Sequence, residues 1–178
     1  MVLFFYISGT ILILTSGIIF IKYIRLKTLK FADQILNQEL IFTVENDKLH
    51  SISFVGGKFI KINKGLKINI SDSTGNCIPV RKSWIKLPFS YKGHPAVETF
   101  YFNCASGNYK LSIENLQNLQ LTKSRLPSEQ MFGSPLSINQ IGILIKEAIP
   151  DKLKLLIFLS FIFGLLLINV GWTLDGWK

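Results

Sequence analysis

Residues Val2 to Ile21 carry no charged side chain, and neither do Leu155 to Leu174. Crossing a hydrocarbon core of roughly 30 Å takes about 20 apolar helical residues, so each stretch is long enough to span a bilayer. Between them lies a basic, turn-rich sequence of ordinary globular composition. A chain that is apolar at both ends and water-compatible in the middle reads as a membrane hairpin holding a folded domain by both its ends. The first stretch has no charged start and exceeds the usual h-region of about 7–15 residues, so it reads as a retained anchor and not a cleaved signal.

The chain has 178 residues. Two spans leave roughly 130 residues between them, enough for one domain with its own core. The net charge of +9 belongs to that middle part, because Asp175 and Lys178 cancel beyond the second span. A basic domain at a membrane faces anionic headgroups, each nearby Lys or Arg contributing on the order of 1 kcal/mol.

Small residues recur within the spans: Gly9, Ser16 and Gly17 in the first, and Ser160, Gly164 and Gly171 in the second. Gly9 and Ser16 are seven apart and share a helix face, and Gly164 and Gly171 repeat that spacing. Such faces let helices approach closely in lipid, so the two spans are expected to pack on each other or on another subunit. Trp172 and Trp177 stand where an interfacial aromatic belt falls.

After the first span, Ile24, Thr28, Phe31 and Ile35 follow helical spacing with Lys and Arg between them, which predicts a basic juxtamembrane helix. From Glu39 the pattern turns to short β segments. Leu40–Val44, Leu49–Val55 and Lys58–Ile62 are rich in β-branched and aromatic residues. Leu66, Ile68 and Ile70 alternate with polar neighbours. Cys77–Arg81, Trp84–Phe89, Val97–Cys104, Asn108–Ile113 and Leu116–Thr122 complete the set. Turn chemistry separates them, at Asn46-Asp47, Gly56-Gly57, Asp72 to Gly75 and Gly93-His94-Pro95 among others. A loop with Pro127, Gly133 and Pro135 follows. Ser137 then looks like an N-cap for a helix over Ile138 to Ile149, ended by Pro150.

The expected organisation is a transmembrane helix over 1–24, a basic juxtamembrane helix over 25–38 and a β-sandwich-like domain over 39–123. A linker and amphipathic helix over 124–150, a second transmembrane helix over 151–174 and a short tail over 175–178 complete it. The fold class is mainly β with two transmembrane α-helices, the middle domain being an antiparallel sandwich or barrel. Gly107-Asn108-Tyr109-Lys110-Leu111-Ser112-Ile113 resembles a late strand of several β-sandwich binding domains, of immunoglobulin-like, GOLD-like and pre-peptidase types. The resemblance implies a sandwich strand and carries no site residues.

Lys22, Arg25, Lys27 and Lys30 follow the first span, and Lys146, Lys152 and Lys154 precede the second. By the positive-inside rule the β domain is expected in the cytoplasm with both termini outside. The alternative is a periplasmic or otherwise extracytoplasmic domain. In that case Cys77 and Cys104 are candidates for a disulfide, whereas in the cytoplasm they remain thiols.

No assembled catalytic set is legible. Gly56-Gly57-Lys58 lacks the rest of a phosphate-binding loop and fits a hairpin turn better. His50 and His94 are isolated, and no metal or cofactor is expected. Cys104 with His94 is the one nucleophile–base pair worth naming. Phe100-Tyr101-Phe102 reads as a core strand in preference to a base-stacking platform, so nucleic acid is not an expected partner. The resulting expectation is a noncatalytic, membrane-anchored binding protein or accessory subunit. Its partners are the lipid bilayer and either another membrane protein or further copies of itself. One alternative is a sensor of anionic lipid or ligand using Lys58, Lys61, Lys64, Lys67, Arg81 and Lys82. Another is a hydrolase with a dispersed site.

Overall fold

A computed structural model describes residues 2–35, 39–122 and 135–176. Pro127, Gly133, Trp177 and Lys178 lie outside the described residues. The chain divides into two compact units, one formed by Met1–Leu26 with Ile149–Lys178 and the other by Lys27–Ala148.

The first unit is a pair of helices, α1 (Val2–Ile24) and α2 (Asp151–Asp175), both long and apolar enough to cross a membrane. The buried positions of α1 are Gly9, Ser16 and Tyr23, seven apart, and those of α2 include Gly164 and Gly171. This period puts one seam on each helix toward the other. The helices run antiparallel: Gly9 lies against Gly164 and Ile168, and Gly171 against Phe5 and Tyr6. Ser16 spends its hydroxyl on the carbonyl of Leu12, 2.8 Å away, and so buries no open donor. Large side chains such as Phe4, Leu14, Phe158 and Leu166 point outward.

The second unit is built from antiparallel sheets. Its strands are β1 (Thr28–Ala32), β2 (Leu40–Val44), β3 (Lys48–Val55), β4 (Phe59–Ile62), β5 (Lys67–Asp72) and β6 (Cys77–Ile78). They continue as β7 (Val80–Lys82), β8 (Pro88–Tyr91), β9 (His94–Cys104), β10 (Gly107–Glu114), β11 (Leu119–Thr122) and β12 (Gly142–Glu147). One sheet has the order β1-β12-β3-β9-β7, with β8 also paired to β9; a second runs β2-β10-β5-β6; β11 and β4 form a third. The core fills the space between them. Ile52, Phe54, Phe102, Ile143 and Ile145 of the first sheet meet Phe42, Val44, Ile70, Tyr109 and Leu111 of the second, and Leu121 of the third. The sheets do not close into a barrel.

Alternation explains several of these strands, β2, β4, β8 and β11 among them. Phe42 and Val44 are buried while Ile41 and Thr43 are exposed. Asp72 holds the turn after β5: its carboxylate accepts bonds from the Thr74 and Asn76 amides at 2.9 and 2.8 Å, while Gly75 supplies a φ of 88°.

Several expectations are corrected. The segment read as a juxtamembrane helix is strand β1, paired with β12 through Phe31↔Leu144 and Ala32↔Ile143. The spacing of Thr28, Phe31 and Ile35 mimics a helix, but β12 offers an open ladder, and tertiary pairing overrides local periodicity. The predicted helix over 138–149 is a single 3-10 turn, Ile138–Gln140, followed by β12. Ser137 makes no side-chain cap. All six residues of β12 are buried, so it shows no alternation, and an apolar run of this length reads equally well as helix. Gly142 is needed there, since a Cβ would sit 2.9 Å from the carbonyl of Ala32. The β unit thus extends from Lys27 to Ala148, well beyond 39–123.

The expected strand Cys77–Arg81 is two strands. Pro79, which lacks an amide donor, separates β6 in the second sheet from β7 in the first. Gly56-Gly57 is not a hairpin turn, because β3 and β4 belong to different sheets. Gly57 passes so close to β11 that a Cβ would meet the Thr122 carbonyl at 2.6 Å. The expected strand over Trp84–Phe89 begins only at Pro88.

Candidate functional site

The two faces of the six-stranded sheet differ in chemistry. One face belongs to the core. On the other, Val55, Ala96 and Leu144 are buried with Phe31, Phe89 and Tyr91 against them. Toward the end where the chain enters and leaves the unit, this second face turns polar. Ladder pairing aligns Lys146 with Ser51, Ser51 with Tyr101 and Tyr101 with Arg81. The next row places Leu144, Ser53 and Glu98 side by side. A bulge puts them there: Ile52 pairs with Phe100 and Ser53 with Glu98, leaving Thr99 as the extra residue.

Ser51, Ser53, Ser83, Glu98 and Lys146 are all buried. The Lys146 ammonium stands 3.8 Å from the Glu98 carboxylate and 3.9 Å from the centre of the Phe89 ring. A buried lysine is tolerable only with such company, since each uncompensated buried charge costs several kcal/mol. Ser83 donates from its amide to Thr99 O at 2.7 Å and from its hydroxyl to Ile85 O at 2.8 Å. The hydroxyls of Ser51 and Ser53 have no hydrogen-bond partner among the described residues. Sequence reading missed this polar stripe. Its signal was the run His50-Ser51-Ile52-Ser53, in which small hydroxyl residues occupy two successive positions of one strand face.

A second cluster lies at the same end of the unit, under a depression of about 390 Å³ lined by Asp47, Lys48, Leu49, Asn103, Cys104 and Ala105. Cys104 Sγ lies 3.8 Å from Nδ1 of His50. The expected pairing with His94 is not made, because His94 and Cys104 are the two ends of β9, on the order of 33 Å apart at about 3.3 Å per residue. Burial pushes the Cys104 thiol up to about 11, with the Asp47 carboxylate adding to it and the Tyr109 hydroxyl opposing. Burial also lowers His50, against the pull of Glu147. The pair is therefore a neutral thiol beside a neutral imidazole, the reverse of an activated thiolate. His50 stacks on Phe102 at 5.4 Å, as a core residue does.

The remaining candidates are dispersed. Lys61 lies on β4 and Lys67 on β5, while Lys58 precedes β4 and Lys64 stands between the two strands. Arg81 and Lys82 lie on β7, so the six cations spread over three sheets, all exposed. Lys58 borders a wider depression of about 760 Å³, with Phe89, His94 and Gln140. Cys77 is exposed on an edge strand and Cys104 is buried; both are free thiols. Phe102 faces the core with Phe100 against it, while Tyr101 faces the other way. In the helical unit, Gly9, Ser16, Gly164 and Gly171 lie in the seam, Ser160 is half-buried, and Gly17 is exposed, with nothing within 4 Å of where a Cβ would stand. Among the described residues, no three His, Cys, Asp or Glu side chains gather as a metal site.

The sequence matches no protein-family model, and neither a curated protein nor a solved structure matches it.

Proposed function

We propose that the chain is a two-pass membrane protein whose β unit is a noncatalytic accessory domain, held at the cytoplasmic surface and binding another membrane protein. The observation that carries this reading is the point of attachment. The chain enters the β unit at Thr28 and leaves it just after Lys146, and these two residues are partners across neighbouring strands. Each is joined within a few residues to a helix of membrane length. Both tethers thus spring from one corner of one sheet, as suits a domain whose task is to be positioned. At the sandwich end the nucleophile–base pair Cys104 and His50 is held neutral, so it offers no activated thiolate.

Orientation follows from the basic flanks. Lys22, Arg25, Lys27 and Lys30 resist translocation behind α1, and Lys146, Lys152 and Lys154 do so ahead of α2. Lys146 and Lys154 later meet Glu98 and Asp151. That pairing does not cancel the rule, which acts during insertion, before the domain has folded.

Mild detergent extraction of the tagged full chain, followed by native purification, tests the accessory role. A membrane protein in stoichiometric, reproducible association supports it. A chain that leaves the membrane alone overturns it, as does turnover lost on one polar substitution. Orientation is read separately, from a cysteine placed in the exposed Asp72–Gly75 turn on a background without Cys77 and Cys104. It should react with an impermeant maleimide only after the membrane is opened.

A further inference from the structure

The segment between β7 and β8 is an arch. From Lys82 to Pro88 the chain takes six steps, while its ladder partners on β9, Phe100 and Val97, are three steps apart. The surplus residues are pushed out of the sheet edge. They alternate: Ser83 is buried and Ile85 and Leu87 half-buried, whereas Lys82, Trp84 and Lys86 are exposed. Trp84, the largest side chain on the arch, is 63% exposed. The inner side is pinned by the Ser83 bonds to Thr99 and Ile85, so the outward Lys-Trp-Lys display is preorganised and loses little entropy on binding. Lys86 is held below its ordinary value by burial and by the neighbouring Lys82 ammonium, so the two cations share one small surface. An anion placed there relieves their repulsion.

The arch also starts at a telling height. One ladder row runs Thr28, Lys146, Ser51, Tyr101, Arg81 across the sheet. Arg81 therefore stands about 19 Å from Thr28, four strand spacings of about 4.8 Å, at the level where both tethers leave. An amphipathic indole between cations is the residue set that settles at a membrane interface, with the ring among headgroups and the ammonium groups on lipid phosphates.

We propose that the Lys82–Trp84–Lys86 arch docks onto the anionic lipid surface of the bilayer in which the chain is anchored, giving the β unit a third attachment besides its two helices. This rests on the membrane-anchored reading above, though not on the accessory role.

The test uses the full chain with Trp172→Phe and Trp177→Phe, which leaves Trp84 as the one indole. It is reconstituted in phosphatidylcholine discs with and without phosphatidylglycerol, using phosphatidylcholine brominated high on the acyl chains as quencher. Bromolipid quenching of Trp84 should be strong in the anionic discs and weak in the neutral ones. It should fall as salt shortens the screening length from about 10 Å at 0.1 M to about 3 Å at 1 M. Lys82→Gln and Lys86→Gln should each lower the docked-to-undocked ratio about fivefold, the worth of one basic residue near such a surface. Trp84 open to aqueous acrylamide in both discs overturns the proposal. So does protection that ignores lipid charge and both lysine variants, or that arises only when a second protein is added, which would make the arch a protein-docking surface. Flotation after an alkaline wash separates the two levels of failure. A chain washed off the lipid refutes the anchoring itself, whereas a chain that floats with Trp84 still wet refutes the arch alone.

Discussion

Ala substitutions at Gly9 and Gly17, both in α1, should shift the stability of the helix pair by different amounts. Each replaces Gly by a better helix former, a gain of up to about 1 kcal/mol common to both. Their surroundings differ. A Cβ on Gly17 meets nothing within 4 Å, whereas one on Gly9 would lie 2.7 Å from the carbonyl oxygen of Gly164 and 2.8 Å from Cγ1 of Ile168. The first neighbour is backbone and cannot rotate away. Restoring ordinary contact, near 3.4 Å, requires the helices to part by several tenths of an ångström along the seam, and overpacking of this kind costs about 1–3 kcal/mol. Propensity cancels in the comparison, so Gly9→Ala should be less stable than Gly17→Ala by about 1–3 kcal/mol. Gly164→Ala should behave like Gly9→Ala, since its Cβ would meet Ile13 Cγ1 at 2.7 Å and Gly9 O at 2.8 Å. Dyes at positions 2 and 175, on a background without Cys77 and Cys104, report separation of the antiparallel helices by energy transfer as denaturing detergent is added. Helicity alone would not serve, because the helices persist after they part. Equal midpoints for Gly9→Ala and Gly17→Ala, within about 0.5 kcal/mol, would refute the seam.

Phe54→Ala, at a fully buried site, should cost about 3–5 kcal/mol in a urea melt of the β unit. Ser51→Ala and Ser53→Ala should be neutral or stabilising, because each removes a buried hydroxyl that has no partner; a loss above about 1.5 kcal/mol at either would show a bond to water or lipid there. Burial lowers His50 in the folded state, so the unfolded chain takes up its proton first. The contribution is therefore full above the ordinary imidazole value near 6.5 and is lost as pH falls below it; His50→Phe should flatten that slope in melts from about pH 7 to about pH 5. The Asp72 carboxylate, lowered to about 2 chiefly by the Thr74 hydroxyl, should titrate there by NMR, its turn stable at ordinary pH and loosening as pH falls through that value. A midpoint near 4 would mean that the turn is open. Cys104, buried and held protonated, should react with a thiol reagent well after exposed Cys77 when labelling is followed with time; equal rates would refute its burial.

What was legible in the sequence is what a single segment decides alone. The two long apolar helices are set by length and apolarity, and β2, β5 and β10 by alternation across a face that one side of the sandwich buries. What escaped is what a neighbour decides. Lys30 and Phe31 lie on a strand because β12 is beside them, and Gly142 to Glu147 form a strand because β1 and β3 flank them. The same blindness hid the site. Cys104 was readable as a nucleophile, yet its partner is set by a register that brings His50 within 3.8 Å and leaves His94 at the far end of the strand. Lys146 looked like one more topogenic charge, and only the ladder through Ser51 to Tyr101 turns it into part of a buried polar stripe. The two segments misread as helix, β1 and β12, are those next to the helices. Local sequence at these junctions serves two demands at once, continuing from a long apolar helix and completing a sheet edge, so its periodicity obeys neither cleanly. That compromise belongs to a domain built onto two terminal helices: removing α1 and α2 should strand the basic flanks Lys27 and Lys30 on a sheet edge no longer tied at its corner. Fraying of β1 against β12, seen as amide exchange at Phe31 and Ala32 faster than at Phe54, is the expected signature of the detached unit. Equal protection at these sites would mean that the sheet holds its corner without the helices.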